Sequence, residues 1–397
     1  MLFFRKLTGD GRVKAGSSSL AAGTQLALLA GSSPGWSAAA LAVNRLDPMT
    51  HPSPAVPELR PAGRRASLAW SVAALLMALP VAGASMFRAI PAEWPLIVVQ
   101  LLSFTPWMAL PALVALVLAV AGRRLWVIIT TAALLAVQLF WLFPLDAGRH
   151  QALPAGTATV SVKVMSLNTE YGEADAAAIV RLVRDNGIQL LTLQEHTQVL
   201  EDRLRSEGLE KTLPHRVSEP NDDASGGAVY SVFPLEAAGL LPDTPFRMDV
   251  TRVLLTDAAA GSTATLNLTN VHALPPVDQR IAQWRSDLVK IARQASRPGN
   301  HLLMGDYNST FDHSEFRDVL DTALPDAAPG GSKLVDVGAA SGGRFSPTWP
   351  MEGLPLPGIV IDHIVTSPLI SSSDYAVHRI PGSDHAAIMA RLVIPAG

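Results

Sequence analysis

Asp306 and Asn308 stand two residues apart in MGDYNST (304–310), and an apolar run, HLLM, leads into them. In a strand, residues i and i+2 share a face. A carboxylate and a carboxamide would then lie side by side where a buried strand ends. Taken alone, the stretch reads first as a turn, because Gly, Asp and Asn are turn residues. Five other apolar runs end in the same manner. Asn168 closes VMSLN, Glu195 closes LLTLQE and His272 closes LTNVH. Asp362 and His363 sit in IVIDHIV, and Asp384 and His385 in GSDHAA. Any one of these reads as a satisfied hydrogen bond or a cap. As a set they would be buried at one edge of a core, where charged groups need partners. A hard divalent cation partners several carboxylates at once.

The elements that must carry these residues alternate in type. Period-two apolar patterning predicts strands at 160–168, 188–195, 226–241, 251–257, 263–273, 301–308, 358–367 and 386–394. Helical spacing predicts a helix at 173–187, stopped by Gly187, and another at 278–295, closed by Pro298 and Gly299. The result is an α/β domain over 151–397. Many links are too short for crossover helices, which favours mixed sheets packed on each other.

The chain of 397 residues has no cysteine, which excludes disulfides, thiolate-held zinc and a thiol nucleophile. Its net charge of −3 conceals an asymmetry. Five of the 34 acidic and twelve of the 31 basic residues fall in 1–150, so the two parts carry +7 and −10. Three charge-free stretches, 66–87, 94–122 and 125–145, are each long enough to span a bilayer core. Residues 66–145 therefore read as three transmembrane helices in contact with lipid, with Pro106 and Pro111 predicting a kink in the second. They hold no ionisable residue, so they read as an anchor rather than a transport path. Arg60, Arg64 and Arg65 precede the first stretch, and Arg123 and Arg124 fill the second loop. The positive-inside rule then places these clusters in the cytoplasm and the C-terminal domain on the extracytoplasmic face of the plasma membrane. Residues 1–65, rich in Ser, Gly, Ala and Pro, read as a disordered cytoplasmic segment. Within it, Met49 offers a second in-frame start.

In this order and at these intervals, LNTEYG, LQE, NVHA, GDYN, IDHI and GSDH resemble the endonuclease/exonuclease/phosphatase superfamily. Its members include deoxyribonucleases, apurinic endonucleases, sphingomyelinases and inositol-phosphate phosphatases. The resemblance covers 161–394 and leaves the anchor aside. It implies a four-layer αββα sandwich of two mixed sheets, with the site where the sheets meet at one edge. It implies Glu195 as the main Mg²⁺ ligand (Mn²⁺ being the alternative ion), assisted by Asn168 and by Asp384 through water. It implies that Asp306 acts on the attacking water and that Asn308 orients that water or binds the phosphate. His385, held by Asp362, would sit against the scissile phosphate, and His272 would be a second phosphate-facing imidazole. Elementary chemistry fits this division. Carboxylates hold metal and take protons, while imidazoles and carboxamides donate to phosphoryl oxygens. An Asp behind a His fixes its tautomer and favours the imidazolium.

Some residues depart from the family pattern or stand beside it. His363 is expected on the opposite face of its strand from Asp362. After Ser231, YSVFPL lacks the basic residue that nucleases of the family often carry. Trp349 in SPTWP matches the family's late aromatic and reads equally as core.

The implied substrate is a phosphodiester, either nucleic acid, as in a nuclease, or phospholipid, as in a head-group phosphodiesterase or phosphatase. A non-enzymatic scaffold that keeps the fold is the third reading. Duplex-binding nucleases present a basic surface. Here Arg280, Arg285, Lys290 and Arg293 lie on a helix whose solvated face explains them. A bound metal supplies positive charge at the site itself. No protein partner is inferable.

Overall fold

The apolar stretches form helices in the computed structural model, which describes residues 62–143, 150–258, 261–324, 333–353 and 357–396. Helix α1 spans Ala62–Ala89 and α4 spans Leu125–Leu142. The stretch expected as one kinked span is divided. It forms α2 (Leu96–Leu102), a 3-10 turn at Thr105–Met108, and α3 (Ala109–Gly122). Pro106 sits in that turn and Pro111 in the first turn of α3, where a missing N–H leaves no bond unmade. Arg64–Ala89, Thr105–Gly122 and Leu125–Leu142 are long and apolar enough to cross a membrane. Small residues bring these helices together. A Cβ on Gly122 would come within 2.4 Å of Ser71 Oγ, and Gln138 Nε2 donates to Ser85 Oγ at 2.7 Å. The disorder expected for 1–65 falls almost wholly outside the described residues, as do Arg60, Asp146 and Arg149.

α2 is seated on the C-terminal domain. Val99 is buried in the same cluster as Trp284, Leu288 and Phe316. His313 Nε2 lies 2.8 Å from the Val99 carbonyl, and Arg285 donates to the Trp94 carbonyl at 2.7 Å. Trp107 Nε1 donates to the Gly358 carbonyl at 2.8 Å. Arg88, at the end of α1, donates to buried Asp312 at 2.7 Å.

The domain has twelve strands among the described residues: β1 (Thr159–Asn168), β2 (Leu190–Gln194), β3 (His215–Glu219), β4 (Gly227–Ser231), β5 (Leu235–Leu240), β6 (Asp249–Asp257), β7 (Ser262–His272), β8 (Asn300–Asp306), β9 (Val335–Asp336), β10 (Asp362–Thr366), β11 (Ser371–Arg379) and β12 (Ala386–Pro395). They form two six-stranded sheets, β11-β12-β1-β2-β4-β3 and β5-β6-β7-β8-β10-β9. Only β1/β2 and β7/β8 pair in parallel, so both sheets are mixed. Along β1, Val160, Val162 and Val164 point between the sheets toward Val253, Leu266, Met304 and Ile364. Met165 and Leu167 face outward, against Ile179 and Val183 of the helix Ala176–Asn186. That helix starts on an Asp175 side-chain cap and stops at Gly187, φ 61°. The helix Ile281–Ala295 covers the other sheet with Trp284, Leu288 and Ile291. The layers are therefore helix, sheet, sheet, helix, as expected from the sequence.

One predicted strand is two. The run 226–241 divides at Pro234, so that β4 lies in the first sheet and β5 in the second. Proline has no N–H for a ladder and marks the chain's crossing between sheets.

Gly305 sets how closely β7 and β8 approach just before the edge where both strands end. A Cβ there would lie 2.0 Å from the Val271 carbonyl oxygen and 2.9 Å from Gln194 Nε2. Gly305→Ala is therefore expected to destabilise the fold by about 1–3 kcal/mol through overpacking. Each kcal/mol lowers the melting midpoint by about 2–4 °C in a domain of this size. Thermal melts of the detergent-solubilised variant check this, and an unchanged midpoint counts against the close approach.

Candidate active site

The two parallel pairs fix where the polar strand ends meet. Asn168 lies opposite Gln194 in β1/β2, and His272 opposite Asp306 in β7/β8. β10 runs antiparallel to β8, so its first residue, Asp362, lies opposite Asp306. β12 runs antiparallel to β1, so Asp384 and His385, just before its start, reach the same edge. Parallel strands contribute their ends and antiparallel strands their beginnings.

All eight sequence-predicted residues are brought together there. Asn168 Nδ2 donates to Glu195 Oε1 and to Asp306 Oδ2, each at 3.1 Å. His272 Nε2 lies 3.8 Å from the same two oxygens. Asn308 Nδ2 donates to the Ala273 carbonyl at 2.9 Å and to Asp306 Oδ2 at 3.2 Å, and its backbone N–H to Asp306 Oδ1 at 2.8 Å. With its amide hydrogens so engaged, Asn308 has only its carbonyl oxygen left to offer, an acceptor that suits a water better than a phosphate oxygen. His385 Nδ1 lies 3.0 and 3.2 Å from the two Asp362 oxygens. Its Nε2 lies 3.7 Å from Asp306 and 4.0 Å from Asp384. His363 faces the other way, with its ring nitrogens near Asp336 and the Ser309 carbonyl.

Two of these side chains sit on left-handed backbone, Glu195 at φ 53° and Asn308 at φ 46°. Asn adopts this region readily; for Glu it is strained, by roughly 1–3 kcal/mol. The Thr169 hydroxyl pins the turn, 2.8 Å from the Gln194 carbonyl and 2.9 Å from that of Glu195.

Sequence reasoning missed the residues that support the site. The Tyr171 N–H donates to Glu195 at 2.8 Å, and Glu170 accepts the Asp384 N–H at 2.7 Å. Ser383 Oγ donates to the Asn168 carbonyl at 2.7 Å. Trp349, left open between a family aromatic and core, packs as core and also reaches the site. It is buried, and its Nε1 donates to Asp384 Oδ2 at 3.0 Å. Glu170 and Tyr171 stand inside LNTEYG, but nothing local marks their partners.

The electrostatics follow from burial. Desolvation raises the Glu195 carboxyl to about 7 against hydrogen bonds from Asn168 and Tyr171. Desolvation likewise raises Asp306 to about 7, against the opposing pull of His385. Desolvation works against protonation of His385, yet Asp362 and Asp306 hold its pKa well above the ordinary value, so it is an imidazolium. Burial, with the charge of His385, pushes His272 down to about 3, so it is neutral.

The donors suit a hard divalent ion. Among the described residues, no lysine or arginine pairs with Glu195, Asp306 or Asp384. A cation displaces the protons that two buried carboxyls raised to about 7 would otherwise keep, and all-oxygen donors favour Mg²⁺ or Mn²⁺ over Zn²⁺. Ligand atoms of Asp306, Asp362 and His385 also lie within 4.8 Å of one another. His385 occupies Asp362 there, so that trio is better suited to proton handling. Asn168 now points its NH₂ at the carboxylates, and acting as a ligand requires its amide to turn over.

The model of the endonuclease/exonuclease/phosphatase family matches residues 165–385, which include all eight residues. No curated protein sequence matches the chain. Among solved structures the chain is similar to humanized D. rerio TDP2, at 14% identity over 58% of this chain and 98% of that one, TM-score 0.45. It is similar to an AP endonuclease from Archaeoglobus fulgidus, at 13% identity over 58% and 98%, TM-score 0.44. It is similar too to an endonuclease/exonuclease/phosphatase from Bacteroides vulgatus, at 17% identity over 58% and 98%, TM-score 0.43.

A folded-state pKa raised to about 7 makes the metal-free protein lose stability as pH rises from the ordinary carboxylate range through 7. Mg²⁺ must displace those protons below pH 7 and finds the carboxylates ready above it. The rise in melting midpoint with saturating Mg²⁺ is therefore expected to be larger at pH 8 than at pH 6. Glu195→Gln should abolish most of that rise at both values. A pH-independent rise in the wild type, or a full one in Glu195→Gln, counts against this assignment.

Proposed function

The chain belongs to the endonuclease/exonuclease/phosphatase family, and on that premise we propose that it is a membrane-anchored, divalent-metal-dependent hydrolase of phosphodiesters with a nuclease-like site. The observation that carries this reading is the pairing of His385, held by Asp362 at 3.0 Å, with Asp306 3.7 Å from its other nitrogen. One edge thus offers a fixed proton donor beside a carboxyl near 7, the value that suits a general base at neutral pH.

In this reading Glu195 would be the main holder of the cation, assisted by Asn168 and, through water, by Asp384. When bound, the cation neutralises charge on the non-bridging oxygens and acidifies water. Asp306 takes the proton of the attacking water, while the Asn308 carbonyl orients that water. Water oxygen bonds to phosphorus as the ester P–O bond breaks, and the departing oxygen leaves as an alcohol with a proton from solvent water. His385 Nε2–H donates to the phosphoryl group, and Asp362 keeps it protonated and turned. Neutral His272 donates a second hydrogen bond from a fixed ring, stacked on Phe246 with centroids 4.3 Å apart.

The anchor is part of the proposal. α1, α3 and α4 leave large apolar side chains outward, Leu125 at 70% and Leu79 at 69% exposure, which suits lipid and not water. The end of α1, the start of α3 and the end of α4 meet the catalytic domain, so Arg123 and Arg124 mark the opposite end. We place the catalytic domain on the extracytoplasmic face of the plasma membrane. The seating of α2 directly on the domain favours a second reading of substrate, a phospholipid head group. Among the residues considered for nucleic acid, Arg285 pairs with Glu315 at 3.0 Å, and Arg280 with Asp278 at 3.0 Å.

The full chain in detergent, with Mg²⁺, is expected to hydrolyse a phosphodiester from a panel of single- and double-stranded DNA, RNA, sphingomyelin and phosphatidylinositol, and to lose this activity in EDTA. No turnover of any member would favour a scaffold. On the substrate found, Asp362→Asn and His385→Ala are each expected to lower kcat by roughly 10² or more. The double variant should lose little beyond either single one, because the two residues act as one unit; additive losses would show that they act separately. For orientation, a phosphatase reporter fused after residue 150 should be active outside the cytoplasm, and one fused at Arg123 inactive. The reverse pattern inverts the topology.

A further inference from the structure

The loop that follows Asn308 is tied to the helices outside the catalytic domain. Asn308 leaves β8 on left-handed backbone, and residues 309–313 lead from it to the helix Ser314–Leu320. Every residue from Ser309 to His313 is buried. Two imidazoles hold the backbone of this loop. His363 Nε2, on β10, donates to the Ser309 carbonyl at 2.9 Å. His313 Nδ1 accepts from the Thr310 N–H at 2.9 Å, while its Nε2 donates to the Val99 carbonyl of α2 at 2.8 Å. Burial pushes His313 below its ordinary pKa, so the ring is neutral, with one donor and one acceptor. Both are spent, one on the loop and one on α2.

α1 reaches the same loop one residue earlier. Asp312 accepts from Arg344 at 2.6 and 2.8 Å, and from Arg88, at the end of α1, at 2.7 Å. Arg344 alone balances the charge of Asp312, so the bond from Arg88 adds a tie rather than a missing counter-charge. Glu195 is supported from elsewhere. The Thr169 hydroxyl and the Tyr171 N–H, which follow β1 in the other sheet, hold its carbonyl and its carboxylate.

We propose that His313 is a positioning residue, and that through His313 and Asp312 the helices α1 and α2 fix the loop that places Asn308 against the attacking water. The Ser309 carbonyl and the Thr310 N–H are the first backbone groups after Asn308 and are held from two sides. Releasing one side lets the Asn308 carbonyl drift, and a misplacement on the order of 1 Å costs up to ~10² in rate. Metal binding, resting on the other sheet, is spared. The membrane-side helices are then part of the catalytic geometry as well as a tether.

The inference rests on the reading of Asn308 as the group that orients water, and the test separates the two. All variants are made in the full chain in detergent, with melting curves to confirm folding. Asn308→Gly accepts the left-handed backbone and removes the carboxamide. It is expected to lower kcat by roughly 10² on the phosphodiester found above. His313→Asn keeps an acceptor near Thr310 but is too short to reach Val99, and Asn is favoured in front of a helix. Arg88→Met leaves Asp312 its pair with Arg344. Each of these two should lower kcat about tenfold or more, with KM and the Mg²⁺-dependent rise in melting midpoint unchanged. In an Asn308→Gly background neither should cost anything further. Independently of turnover, hydrogen exchange at 309–313 should quicken in both, and exchange at 194–196 should not. If one of the two fails to fold, the other decides. Wild-type kcat in a folded variant, unchanged exchange at 309–313, losses that add to that of Asn308→Gly, or a KM and Mg²⁺ response that change in step with kcat each overturn this inference alone. Wild-type kcat in Asn308→Gly overturns the reading on which it rests.

Discussion

Glu195 and Asp306 reach the same amide nitrogen of Asn168, each at 3.1 Å, from two different sheets. Two negative charges ~6 Å apart repel by about 3 kcal/mol at an effective dielectric near 20, before burial is counted. The fold must force them together and then relieve them. It forces them together through register, since β1, β2, β7 and β8 all end at this edge. It relieves them with protons, with one amide and with the single imidazolium of His385. Much else at the site follows from that constraint. Neutral His272 adds no charge, and Asp362 is taken up by His385 and so does not add to the repulsion.

The supporting contacts show how the edge is kept rigid. Glu195 leaves its strand through strained backbone that the Thr169 hydroxyl fixes. Asp384 is held at its backbone by Glu170 and at its side chain by Trp349. Ser383 ties the segment before β12 to the end of β1. These bonds join residues far apart in sequence, so the geometry of the edge is set only when both sheets are complete.

That distance also explains what the sequence could and could not reveal. The strand ends were legible because each closes an apolar run, and Asp306 and Asn308, a turn when taken alone, became candidates only as members of that set. Pro234 was visible, yet the crossing between sheets that it marks was not inferred. β3 and β11 escaped notice because they lie at the edges of the first sheet and carry polar, partly exposed residues, so no buried alternation betrays them. Glu170 and Trp349 could not be matched to Asp384, because no local pattern encodes contacts across 214 and 35 residues. Residues 94–104 were read with the second span because a helix that packs on the domain and a helix long and apolar enough to span a bilayer have the same composition. Only tertiary structure distinguishes Val99, buried in the domain, from Leu110, which is exposed on α3.

The seat of α2 has a consequence for the order in which the molecule is made. Synthesis delivers Arg88 and Val99 more than two hundred residues before Asp312 and Phe316. Throughout that interval the connector between α1 and α3 has no surface to settle on, and the partner it waits for is built mostly from long-range pairings, the slow kind of contact to close. Packing of the helices and completion of the domain are therefore not independent events. A nascent chain that stalls between them displays an unclaimed guanidinium and an unclaimed apolar turn, which mark it as unfinished.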